Sequence, residues 1–143
     1  MIVLDTTVLV YAVGEDRQLA EANRGLLQAV ADGRLQATTT PEVIQEFAHV
    51  YARRRERRGA VRLALAYADL LSPLIALERP DLDEGLALFQ RVPGLGAFDA
   101  VLAAAALIRG AEWLVSADRA FAGVPKLRHF DPLSDPLDNL RGS

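Results

Sequence analysis

Short apolar runs alternate along this chain with longer stretches in which apolar residues recur every three or four positions. Residues 1–4 (MIVL), 74–77 (LIAL) and 113–115 (WLV) are continuous runs of a buried strand's length, and 35–39 and 127–130 complete a set of five strand candidates. Between them the pattern predicts helices over 7–13, 17–31, 60–71, 82–92 and 99–109. A further helix from residue 41 carries Val43, Phe47, Val50 and Tyr51 at helical spacing. Its start is written out: Thr40 as a hydroxyl cap, Pro41 at the first helical position, Glu42 in the first turn. Gly33, Gly59, Pro73 and Gly110 punctuate the other elements, and Pro93-Gly94-Leu95-Gly96 reads as a loop. Short apolar strands alternating with helices predict an α/β fold, a parallel sheet of four to five short strands in a three-layer α/β/α sandwich. The 143 residues show no repeat and no linker, so 1–143 is read as one domain.

In a parallel sheet, ligands bind outside the carboxyl ends of the strands. Asp5 ends the first strand. Asp118 lies just past the run at 113–115, in WLVSAD, and Asp99 opens the helix that leads into that strand. Glu46 falls in the second turn of the helix after the second strand, at the border of the Val43/Phe47/Val50 stripe. Each acid has a purely local use: Asp5 and Asp118 as helix caps, Asp99 as a first-turn acid, Glu46 as a solvated helix residue. Four carboxylates brought to one edge are a different matter, since they repel and raise one another's pKa unless a cation compensates. Hard oxygen ligands suit Mg²⁺ or Mn²⁺ rather than zinc. His49 and His129 have no metal-ligand spacing and are given no ligand role.

Composition narrows the chemistry. With no cysteine there is no disulfide framework, thiolate zinc site or thiol nucleophile. Asp5 interrupts the N-terminal apolar run, no basic residue precedes it, and the most apolar later stretch, 100–108, is far short of a membrane span. The expectation is a cytoplasmic protein with no membrane role. A net charge of −3 does not describe a protein held on nucleic acid by bulk charge. The local distribution differs: Arg53, Arg54, Arg55, Arg57 and Arg58 crowd the end of the Glu46 helix. They complement the helix dipole and suit phosphate contact as well. Arg53, two turns beyond Glu46, is expected nearest the cleft, with Arg54 and Arg57 as further contact candidates.

Four segments, IVLDTTVLV, TTTPEVIQEFAHV, GAFDAVLAAAAL and WLVSADRAF, resemble in order the motifs of the PIN domain, and within it the VapC-type toxins of bacterial toxin–antitoxin pairs. The likeness runs from residue 2 to 121. It implies a metal-dependent endoribonuclease in which Asp5, Glu46, Asp99 and Asp118 form the catalytic, metal-binding quartet, supported by Thr6 and Ser116. It implies Mg²⁺ or Mn²⁺ as cofactor, water as nucleophile, and RNA as substrate. It further implies a VapB-type antitoxin as partner, gripped by the helices around residues 41–71, and a homodimer. Glu46 is open between ligand and water-orienting group, as is the choice of one metal or two. The alternatives are a non-catalytic PIN-like RNA- or protein-binding module and a housekeeping PIN nuclease. An aspartyl-phosphate phosphatase would want a second acid where Thr7 stands.

Overall fold

In the computed structural model, which describes residues 1–140, four parallel strands form one sheet. They are β1 (Ile2–Leu4), β2 (Ala37–Thr38), β3 (Trp113–Val115) and β4 (His129–Phe130), in the order β2-β1-β3-β4. β1 lies inside the sheet, and Ile2, Val3 and Leu4 are completely buried, as a continuous apolar run requires of a strand covered on both faces. Leu4 pairs with Val115 and Val115 with Phe130, so β1, β3 and β4 end level with one another.

Six α-helices flank the sheet in an α/β sandwich: α1 (Thr6–Ala12), α2 (Arg17–Ala31), α3 (Pro41–Arg54), α4 (Arg57–Leu71), α5 (Arg79–Arg91) and α6 (Ala97–Ile108). α3 starts as its sequence signals, with the Thr40 hydroxyl accepting the Val43 N–H at 3.2 Å. Phe47 of α3 is fully buried and meets Tyr67 of α4 edge to face at 5.0 Å, joining the two helices. Burying a side chain of that size contributes about 1.5–3 kcal/mol. α6 is buried through Ala100 and through Leu102 to Ala106. Its small residues let α5 approach so closely that a Cβ on Gly85 would sit 2.6 Å from the Val101 backbone.

The segment 74–77, expected as a strand, is not one. Pro73 has no N–H to give, and the Ile75 N–H to the Thr39 carbonyl, at 2.9 Å, is the one backbone bond the stretch makes beside β2. It is held instead by side chains, with Thr38 Oγ1 donating to the Pro73 carbonyl and Arg109 to that of Ala76. The expected strand at 127–130 shrinks to two residues because Lys126 adopts a left-handed φ of 66°. α5 begins three residues earlier than the periodicity suggests: Asp81 accepts the Glu78 N–H at 2.8 Å and caps the first turn.

Candidate active site

β1 carries its chain directly into α1, and Asp5 is the joint. Its own N–H donates to the Val115 carbonyl at 3.0 Å, continuing the β1–β3 ladder by one residue. The residue is 4% exposed. Oδ2 takes the Ser116 hydroxyl at 2.6 Å, the Thr7 hydroxyl at 3.0 Å and, more loosely, the Thr7 N–H at 3.4 Å. Capping α1 and facing the strand edge are therefore duties of the same carboxylate. Among the described residues Oδ1 takes no protein donor, and it keeps contact with solvent.

The other three acids lie around this buried one at graded depth. Asp99, in the first turn of α6, is half-buried, while Glu46 on α3 and Asp118 after β3 are exposed. The Asp99 carboxyl is pushed up to about 7, first by burial and then by the negative charges of Asp5, Asp118 and Glu46. All three thus lie within electrostatic reach of Asp99. Thr6 Oγ1 donates to Glu46 Oε2 at 3.0 Å and ties α3 to the start of α1. The Ser116 hydroxyl accepts the Asp118 N–H at 2.9 Å, and Asp118 Oδ1 in turn accepts the Ala120 N–H at 2.9 Å. That leaves Asp118 Oδ2 without a protein donor among the described residues. His129 bonds the Ser116 carbonyl at 2.8 Å and so steadies the strand edge from β4.

Thr7 is absent from the set of residues that the sequence singles out. Its hydroxyl donates to Asp5 and accepts the Ala117 N–H at 3.0 Å, linking the end of β1 to the turn after β3. The one available sequence signal is the pair of adjacent threonines after Asp5, whose side chains diverge along helix α1, one to Glu46 and one to Asp5.

Every oxygen donor here is a carboxylate or a hydroxyl, the set that suits a hard divalent cation. Among the described residues no group of three or more Asp, Glu or His side chains is gathered closely enough to hold a metal ion. Mg²⁺ asks for less, keeping several waters and one or two carboxylates.

The arginine run is exposed at the α3–α4 junction. Arg53 and Arg54 occupy the last turn of α3, Arg55 pairs with Glu15 at 3.3 Å, and Arg57 opens α4. Beneath Arg54 and Arg55 runs an apolar groove of about 610 Å³ between α1 and α3, floored by Val10, Phe47, Val50 and Tyr51. On α4, Ala60, Ala64, Tyr67 and Leu71 face the core, whereas Val61 and Leu65 are more than half exposed. Among the described residues no helix is long and apolar enough to cross a membrane.

Comparison with known proteins agrees with this architecture. Residues 2–127 match the PIN domain. The chain is 49% identical to Ribonuclease VapC7 of Mycobacterium tuberculosis, over 99% of both chains. It is 30% identical to Ribonuclease VapC23 of the same species, over 85% of this chain and 96% of the other. Among solved structures, VapBC2 from Rickettsia felis bound to a promoter DNA fragment superimposes with a TM-score of 0.71 at 18% identity, over 92% of this chain and 98% of that one. FitAB bound to a DNA fragment gives 0.72 at 15% identity, over 95% and 98%. These two likenesses carry the fold; the sequence matches carry the family. The chain belongs to the PIN-domain family, among its VapC ribonucleases.

Proposed function

We propose that this chain is a metal-dependent endoribonuclease, the toxin of a toxin–antitoxin pair, that hydrolyses RNA phosphodiester bonds. The observation that carries the reading is the Asp99 carboxyl, which feels Asp5, Glu46 and Asp118 at once at the carboxyl edge of the sheet. A fold spends stability to hold like charges together, and a bound cation offsets that cost. Mg²⁺ or Mn²⁺, when bound, supplies acidification of a water and positive charge for the leaving oxygen.

The chain's own residues do the rest. Asp5 offers Oδ1 from a backbone fixed by the β1–β3 ladder, and Asp99 offers its carboxylate from the first turn of a buried helix. Asp118 adds a third oxygen at the rim. Glu46, aimed by Thr6, holds either the cation or the attacking water. Arg53, Arg54 and Arg57 contribute phosphate contacts that draw RNA toward an otherwise repulsive acidic edge. The apolar groove under Arg54 and Arg55, with Val61 and Leu65 beyond it, suits an amphipathic segment of a VapB-type antitoxin. The solved structures that this fold resembles include VapBC2 and a toxin–antitoxin complex from Klebsiella pneumoniae. We read the toxin as a cytoplasmic homodimer.

The test is cleavage of total RNA by purified protein with Mg²⁺, with Mn²⁺ and with EDTA. Metal-dependent cleavage that disappears in Asp5→Asn is the expected result. Cleavage undiminished by EDTA would overturn the metal assignment, and undiminished cleavage by Asp5→Asn would overturn the site.

A further inference from the structure

We propose that Thr7 is a positioning residue of the acidic site: its hydroxyl selects which oxygen of Asp5 is offered to the cation and locks Asp5 to the turn that carries Asp118. The proposal rests on the metal-dependent reading above and concerns how the site is held.

Three donors converge on one oxygen of Asp5. Oδ2 receives the Ser116 hydroxyl at 2.6 Å, the Thr7 hydroxyl at 3.0 Å and the Thr7 N–H at 3.4 Å, while Oδ1 receives none among the described residues. A carboxylate with one saturated oxygen and one open oxygen has a fixed plane and presents a single oxygen outward. Hydrogen bonds to an ionised carboxylate are about twice as strong as neutral ones, so the arrangement resists rotation of the side chain. Both hydroxyl protons are committed to Asp5, which makes the 3.3 Å between Thr7 Oγ1 and Ser116 Oγ a contact rather than a third bond.

The same two hydroxyls have acceptor lone pairs left, and both are used on one turn. Thr7 Oγ1 accepts the Ala117 N–H at 3.0 Å, and Ser116 Oγ accepts the Asp118 N–H at 2.9 Å. Consecutive backbone amides of the Asp118 turn are therefore read by the two hydroxyls that hold Asp5. Ser116 reaches Asp5 from β3, the strand it follows; Thr7 reaches the turn from the opposite side, out of α1. Removing Ser116 leaves Thr7 still bridging Asp5 to the Ala117 amide. Removing Thr7 leaves Asp5 a single hydroxyl donor and frees the Ala117 amide. Thr6 has no part in this, since its hydroxyl is directed to Glu46.

Supporting hydrogen bonds of this kind are worth about 10- to 100-fold in metal affinity. The experiment compares wild type, Thr7→Val, Thr7→Ser and Asp5→Asn by calorimetric titration of the metal-free protein with Mn²⁺, alongside thermal unfolding in EDTA and RNA cleavage. Thr7→Val is isosteric and lacks the hydroxyl; Thr7→Ser keeps donor and acceptor. The expected result is Mn²⁺ affinity about 10-fold or more weaker in Thr7→Val, restored to within about 3-fold of wild type in Thr7→Ser. Equal weakening in both would overturn the proposal, because Thr7→Ser keeps the hydroxyl and would then lose affinity for a reason other than that group. Wild-type affinity in Thr7→Val, with affinity lost in Asp5→Asn, would also overturn it and leave the metal reading standing. Wild-type affinity in Asp5→Asn would defeat the metal reading itself, and this proposal with it. If Thr7→Val does not fold, Thr7→Ala removes the same hydroxyl without crowding Ala117 and carries the same comparison.

Discussion

Replacing Asp99 by Asn should make this protein more stable while removing a carboxylate of the proposed site. Moving a carboxyl from 3.8 to about 7 corresponds to about 4 kcal/mol of native-state cost for the charged form. Asp99 is only half-buried, and solvent screening reduces the figure to about 1–3 kcal/mol. The sign follows from the protons bound. Between 3.8 and about 7 the native state holds a proton that the unfolded chain has released, so stability falls as pH rises through that window. Above about 7 the full cost is present; below 3.8 both states are neutral and it is gone. Asn carries no charge at any pH. In urea titrations with EDTA, Asp99→Asn should therefore exceed wild type by about 1–3 kcal/mol at pH 8, by less than half of that at pH 5, and by almost nothing at pH 4. The difference between the two proteins cancels the shared titrating groups that do not interact with Asp99. Saturating Mg²⁺ at pH 8 should close part of the gap by stabilising wild type alone. A gap that does not change with pH, or a variant no more stable than wild type at pH 8, would refute the argument that these carboxylates oppose one another in the native state.

Other outcomes follow from separate parts of the molecule. Asp5→Asn should keep the fold, since Asn caps helices as well as Asp, yet lose RNA cleavage and growth inhibition by more than 10²-fold in a gel assay and an induction assay. Gly85→Ala should destabilise by about 1–3 kcal/mol because its methyl would meet the Val101 backbone, whereas Gly25→Ala, with open space around it, should stabilise by about 0.5–1 kcal/mol; paired urea midpoints check both. Arg109→Ala strands the buried Asp81 carboxylate, which Arg109 meets at 2.7 and 3.1 Å, and should cost about 3–5 kcal/mol by denaturation at pH 7. Charge reversal at Arg53, Arg54 and Arg57 should weaken RNA binding and flatten its dependence on salt, leaving the thermal midpoint within a few degrees of wild type.

Much of the fold is legible because it is written in local terms. Residues 2–4 can only be a strand buried on both faces, and Thr40-Pro41 announces α3 without reference to anything distant. The helix at 17–31 is found with the boundaries its pattern predicts. What fails is decided elsewhere. The LIAL run at 74–77 has a strand's composition, but beyond one bond from Ile75 to the Thr39 carbonyl it is held by Arg109 on Ala76 and by Thr38 on the neighbouring Pro73, and no local pattern encodes those. Thr7 escapes for the same reason. Its hydroxyl accepts the Ala117 N–H, 110 positions away, and that bond exists only once β1 and β3 are paired. The apolar groove beside α3 is equally invisible, since Val10 and Val50 each read as core until the packing leaves a gap between them.

The strand order β2-β1-β3-β4 has a consequence for the protein's birth. β1 is synthesised well before its inner neighbour β3, which lies more than a hundred residues downstream. Asp5 therefore stays in a loose chain, its carboxylate hydrated and unaligned, until Ser116 and Asp118 have been synthesised and β3 has docked. Contacts of such sequence separation form late and slowly. A nascent chain whose acids are scattered has no assembled site, so the messenger and ribosome producing it meet an assembled acidic edge only after β3 and the Asp118 turn have emerged.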